Sequence, residues 1–144
     1  MKPGNISSEA KSKVSEDPVF SWARAGNYFS LAEYFRDGGD INHKNYDGHS
    51  LLMLAASNNR WGLCAWLVKN GADVNSIDLS GNTVLMAASL KGHTRIARLL
   101  LHAGASPSSQ NSQGLTALDY AKTFRHVDIV HLLGGRVESD RVLH

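Results

Sequence analysis

Seven histidines, one cysteine and a short run of arginines are the side chains through which this 144-residue chain could do chemistry. Their spacing argues against most of it. A helical zinc site needs two imidazoles on one face at i and i+4, whereas His126 and His131 are five apart, about 500° around a helix, and no histidine pair has the four-residue spacing. Nucleophile and phosphate motifs are missing: there is no G-x-S-x-G, no G-x-x-x-x-G-K-[ST] and no G-x-G-x-x-G. Cys64 has no second cysteine to pair with, and it stands 33 and 66 residues before Ala97 and Val130, in an apolar helical stripe, which makes it a small apolar group rather than a reactive thiol. Arg95, Arg98 and His102 lie at i, i+3 and i+7, with Arg60 and Arg125 at neighbouring positions, and form a basic strip. With 15 Lys and Arg against 13 Asp and Glu and a net charge of +2, that strip reads as a solvated face and not as a nucleic-acid surface.

The elements that would position these groups follow from a period. Gly48, Gly81 and Gly114 stand 33 residues apart, and each opens a near copy of one segment: Gly48-His49-Ser50-Leu51-Leu52-Met53-Leu54-Ala55-Ala56, Gly81-Asn82-Thr83-Val84-Leu85-Met86-Ala87-Ala88, and Gly114-Leu115-Thr116-Ala117-Leu118-Asp119-Tyr120-Ala121. A second frame runs beside it, with Asn70-Gly71-Ala72-Asp73 answered by Ala103-Gly104-Ala105-Ser106. The offsets of Leu63, Trp66 and Leu67 recur in Ile96, Leu99 and Leu100 and in Ile129, Leu132 and Leu133, which places an apolar stripe on one helical face. Leu99 is expected in the packed interior on that register. Gly71 and Gly104 are expected at positive φ after their helices.

This pattern resembles the ankyrin-repeat family over residues 17 to 134, with Gly81, Thr83, Leu85 and Ala88 matching the first-helix motif and Gly92-His93, Ile96, Leu99-Leu100-Leu101 and Gly104-Ala105 matching the second helix and its exit. The resemblance implies an all-α solenoid of helix-turn-helix units with short turn fingers. Residues 1–16 read as a polar tail, 17–44 as a capping repeat that starts on the N-cap Asp17 and Pro18, then 45–77, 78–110 and 111–135 as repeats within one domain, and 136–144 as a charged tail. Asn5-Ile6-Ser7 matches a glycosylation pattern that is common by chance. His93 and His126 share a position with Arg60 where the family commonly has His in a structural role. The family's motif Pro is Leu51, Val84 and Ala117, and its motif His is Met53, Met86 and Asp119. Polar links of that His between units are therefore not expected, and apolar packing must carry more of the load.

Ankyrin proteins meet partners through the turn fingers and the exposed side of the first helices. Carried onto this sequence, the protein-binding set is Tyr46, Asp47, His49, Ser57, Asn58, Leu79, Ser80, Asn82, Leu90, Lys91, Ser112, Gln113, Leu115, Thr123 and Phe124. Tyr46, Leu79, Leu90, Leu115 and Phe124 are expected as exposed anchors, since aromatic and apolar groups concentrate at interface centres. His49 is expected to be exposed in its turn. The resemblance thus implies a non-catalytic protein-binding module with no cofactor and no metal, or alternatively a stoichiometric inhibitor of a partner enzyme. The expected partner is another protein, enzymes included, and not nucleic acid or a membrane; the free chain is expected to be a monomer. No run approaches the roughly 20 apolar residues of a membrane span. A cytoplasmic location is expected, or a periplasmic or secreted one if a leader is removed ahead of Met1.

Overall fold

In a computed structural model, which describes residues 16–136, each 33-residue period becomes a finger followed by two antiparallel helices. The expected polar segment up to residue 15, with its sequon, and the stretch after Arg136 lie outside the described residues. The helices are α1 (Pro18–Ala25), α2 (Tyr28–Arg36), α3 (Leu51–Ser57), α4 (Trp61–Lys69), α5 (Val84–Lys91), α6 (Thr94–His102), α7 (Ala117–Thr123) and α8 (Val127–Leu132). Among the described residues there are no strands, only two isolated antiparallel bridges inside fingers, Lys44 to Ser50 and Ile77 to Thr83.

Three kinds of residue, each recurring every 33 positions, explain where the helices start and stop. Asp17, Ser50, Thr83 and Thr116 are N-caps whose side-chain oxygens accept from Val19, Met53, Met86 and Asp119 backbone N–H groups, satisfying donors that a first turn leaves unpaired. Gly38, Gly71 and Gly104 leave the second helices at φ of 93°, 93° and 98°, as expected of a helix exit. The link between helices is also left-handed in every unit, at Gly26, Asn59, Gly92 and Arg125. Asn tolerates that region, but Arg125 at φ 58° does not adopt it readily. Arg125→Gly is therefore expected to raise stability by up to about 1 kcal/mol, and Arg125→Val to lower it, in equilibrium denaturation. A reversed rank would show that the link is not strained.

First helices form the tight inner row. α1 packs on α3, α3 on α5 and α5 on α7, while the second helices α4, α6 and α8 make lighter contact. Ala55, Ala88 and Ala121, at one repeat position, are completely enclosed and let these short helices approach closely. Leu51 through Ala56 are all buried, as are Leu85, Met86, Ile96, Leu100 and Ile129. The second-helix stripe is uneven: Leu63, Leu67, Ile96, Leu100 and Ile129 are enclosed, but Trp66, Leu99, Leu132 and Leu133 are only partly buried. Leu99 is thus not the interior residue that the spacing suggests, because its place in the triplet lies toward the outer edge of the helix pair.

Polar links between units are placed away from the motif His position. Arg60 Nε donates to Arg24 O (2.9 Å), and the Nε2 atoms of His93 and His126 lie 3.2 and 2.9 Å from Ser57 O and Leu90 O. The left-handed link makes room for this: a Cβ on Gly92 would stand 2.6 Å from the His126 ring. Asn42 and Asn75 accept from the Asp73 and Ser106 N–H groups of the following units, both near 2.9 Å. Glu16, on the sequence part of the polar tail, joins α1 to the next finger by accepting from Arg24 and from Asn45 Nδ2 (3.0 Å). Hydrogen bonding to Arg24 holds its carboxyl below the usual glutamate range.

The basic strip is not continuous. Arg60 is spent on Arg24 O, Arg95 lies 3.9 Å over the Trp61 ring, and Arg125 sits in the link before α8 rather than on a helix.

Candidate functional site: a groove between fingers and first helices

Each finger is built by one side chain that folds the backbone around itself. Asn45 Oδ1 accepts from the N–H groups of Asp47 and His49, Asp78 Oδ1 from Ser80 and Asn82, and Asn111 Oδ1 from Gln113 and Leu115, all within 2.9 to 3.0 Å. Adjacent fingers are then joined by backbone bonds, Leu79 N to Asp47 O (3.1 Å) and Ser112 N to Ser80 O (3.0 Å). The result is a rigid comb with its tips in solvent. Tyr46 and Leu79, at equivalent positions, are 83% and 79% exposed.

Fourteen of the fifteen sequence-derived contact residues fall in three places. Tyr46, Asp47, Leu79, Ser80, Ser112 and Gln113 line the finger tips and are exposed. Asn58, Lys91, Thr123 and Phe124 are exposed at the far ends of the first helices, where the Phe124 ring stacks on His126 with centroids 6.4 Å apart. His49, Ser57, Asn82 and Leu90 come together around one recess of about 200 Å³ between α3 and α5. Leu115 stands apart from it, half-buried in the third finger.

Two expected anchors are therefore less exposed than the sequence indicates: Leu90 and Leu115 are half-buried, Leu90 in the recess that Tyr120 of the next unit also lines. His49 is also half-buried rather than free, with Nε2 3.5 Å from Asp78 Oδ2 of the next finger. Several polar members already have internal partners. Ser112 Oγ donates to Ser80 O (2.8 Å), Asn58 Nδ2 to Leu54 O (2.7 Å) and Thr123 Oγ1 to Asp119 O (2.9 Å). Asn82 Oδ1 accepts from Asn111 Nδ2 (2.8 Å) and from the Tyr120 hydroxyl (3.0 Å), which itself accepts from Asn111 Nδ2 (2.9 Å).

The recess has an apolar floor of Met53, Leu54, Met86 and Ala87 and a polar wall of His49, Asp78, Asn82 and Tyr120. Sequence reasoning passed over most of these. Met53 and Met86 were visible only as replacements of a motif His, though a flexible, polarizable pair at one repeat position suits an adaptable binding surface. A separate aromatic group on the second-helix row was also missed: Tyr28 and Phe35 pack on Trp66 with centroids 5.2 and 5.4 Å apart, and Phe29 beside them is 81% exposed.

Cys64 is fully enclosed and burial pushes its thiol up to about 12, which suppresses the nucleophilic thiolate near neutrality. Asp119 is held below the usual carboxylate range by the Thr116 N–H and hydroxyl, a capping role that leaves it ionised and locally engaged. Among the described residues no three His, Cys, Asp or Glu side chains form a group that could hold a metal ion, and no helix is long and apolar enough to cross a membrane.

The model of the family described as ankyrin repeats (3 copies) matches the chain at residues 19–111 and again at 62–140. No curated protein matches it.

Proposed function

The chain belongs to the ankyrin-repeat family, whose members are generally protein–protein interaction modules, and from that premise we propose that it binds a protein partner, without catalysis, through the groove between its fingers and first helices. The observation that supports this reading is the pair of adjacent finger tips, Tyr46 and Leu79, held nearly fully in solvent on a hydrogen-bonded comb next to an apolar recess. Large apolar groups on a rigid base lose little conformational freedom on binding, so their burial appears as affinity. Phe124 extends the same surface at the other end of the first helices.

The test is capture of the partner from the source cell, followed by affinities for single variants. Tyr46→Ala, Leu79→Ala and Phe124→Ala are expected to keep the helical spectrum and melting transition, while at least one weakens binding by about 2 kcal/mol or more. Arg98→Ala, on the second-helix row, is expected to change affinity by only a few tenths of a kcal/mol, about the worth of an exposed charge. Loss of binding through Arg98 with unchanged groove variants would reject the groove. A partner enzyme whose activity disappears at a one-to-one ratio would make the protein an inhibitor.

A further inference from the structure

Asp78 carries a charge that its structural task does not require. Its Oδ1 folds the second finger by accepting from Ser80 N and Asn82 N at 2.9 Å, the same task that neutral Asn45 and Asn111 perform in the fingers on either side. Its Oδ2 is held loosely, 3.4 Å from Asn82 Nδ2 and 3.5 Å from His49 Nε2. The side chain is only 10% exposed, in the wall of the apolar recess, and among the described residues no Lys or Arg lines that recess.

We propose that this recess receives one long basic side chain of the partner, an arginine or lysine, with its methylene stem over Met53, Leu54, Met86 and Leu90 and its cationic head at Asp78 Oδ2. The size fits: a dry cavity of about 150 Å³ holds a benzene ring, so a recess near 200 Å³ takes a single long side chain and not a helix. The chemistry fits as well. Arginine and lysine bury their stems along apolar surface while their heads need a partner, and the floor and wall of the recess offer those two things in that order. A purely apolar anchor would instead cover the loosely paired carboxylate oxygen without replacing its hydrogen bonds, which is costly.

This inference rests on the groove reading, and the experiment separates the two. A phage-displayed library of random peptides is selected in parallel on the protein and on Asp78→Asn, which retains the turn-building oxygen and whose melting transition verifies its fold. Selected peptides are expected to centre on arginine or lysine, to bind Asp78→Asn at least about tenfold more weakly, and to lose a similar factor when the arginine is replaced by its neutral isostere citrulline. The citrulline comparison uses the unaltered protein, so it stands even if the variant is less stable. Peptides anchored by leucine, phenylalanine or an acidic residue, or basic peptides indifferent to both changes, overturn the basic anchor; if such peptides still depend on Tyr46, Leu79 or Phe124, the groove reading survives. A library that yields no peptide sensitive to those three residues overturns both.

Discussion

Leu100→Ala is expected to lower the free energy of unfolding by about 2–5 kcal/mol, the range for removing buried methyl groups and leaving a cavity. Leu100 is completely enclosed in α6, the second helix of an interior unit, with α4 on one side and α8 on the other. A domain of this size is stabilised by only about 5–15 kcal/mol, so the loss is a large fraction of the whole. Because each unit is held mainly by its neighbours, the effect should appear as a lower midpoint of the entire transition and not as fraying of one helix. Leu99→Ala is the internal comparison: that side chain is only partly buried, so its cost should be clearly smaller. Denaturant titration of both variants decides the matter. Equal costs, or a larger one at Leu99, would mean that the second helices are rotated about their axes from the arrangement described above.

Gly48→Ala is expected to cost about 2–5 kcal/mol, as the sum of two separable effects. Positive φ at an alanine accounts for about 1–2 kcal/mol, and forced overpacking for about 1–3 more. Gly48 has φ 80°, and a Cβ there would lie 2.8 Å from Leu79 N and 3.1 Å from the Asp78 backbone, in the gap where Leu79 N donates to Asp47 O. Backbone cannot move aside as a side-chain tip can, so that finger-to-finger bond would be broken. Gly114 isolates the first effect: its φ is 77°, nearly the same, yet nothing lies within 4 Å of where its Cβ would be. Gly114→Ala should therefore cost only about 1–2 kcal/mol. Thermal or chemical unfolding of the two variants measures the difference. If they are equally destabilised, the comb of fingers is looser than its hydrogen bonds imply. The same measurement bears on function, since loosening the comb at Gly48 would also release Tyr46 and Leu79 from their fixed positions.

What the amino-acid sequence settled by itself is everything that depends on neighbours a few positions away and is then repeated. The cap Asp17, the exits Gly71 and Gly104, and the i, i+3, i+4 stripes of α4, α6 and α8 are local rules, so a period of 33 was enough to give an all-helical stack and the row of finger positions holding Tyr46 and Leu79. What needed the tertiary structure are contacts made one unit away, whose partners are set by the rise and rotation from unit to unit. His49 meeting Asp78, Tyr120 reaching Asn82, Ser112 Oγ donating to Ser80 O and the Arg60, His93 and His126 links span 29 to 38 residues and have no signature in local spacing. The half-burial of Leu90 belongs to the same class: the helix carrying it is legible in its own segment, but the recess it lines is shared with Tyr120 of the next unit. So does the recess, because Met53 and Leu54 come from one unit and Asp78, Met86 and Leu90 from another, and a cavity between two bodies is fixed only when their separation and angle are.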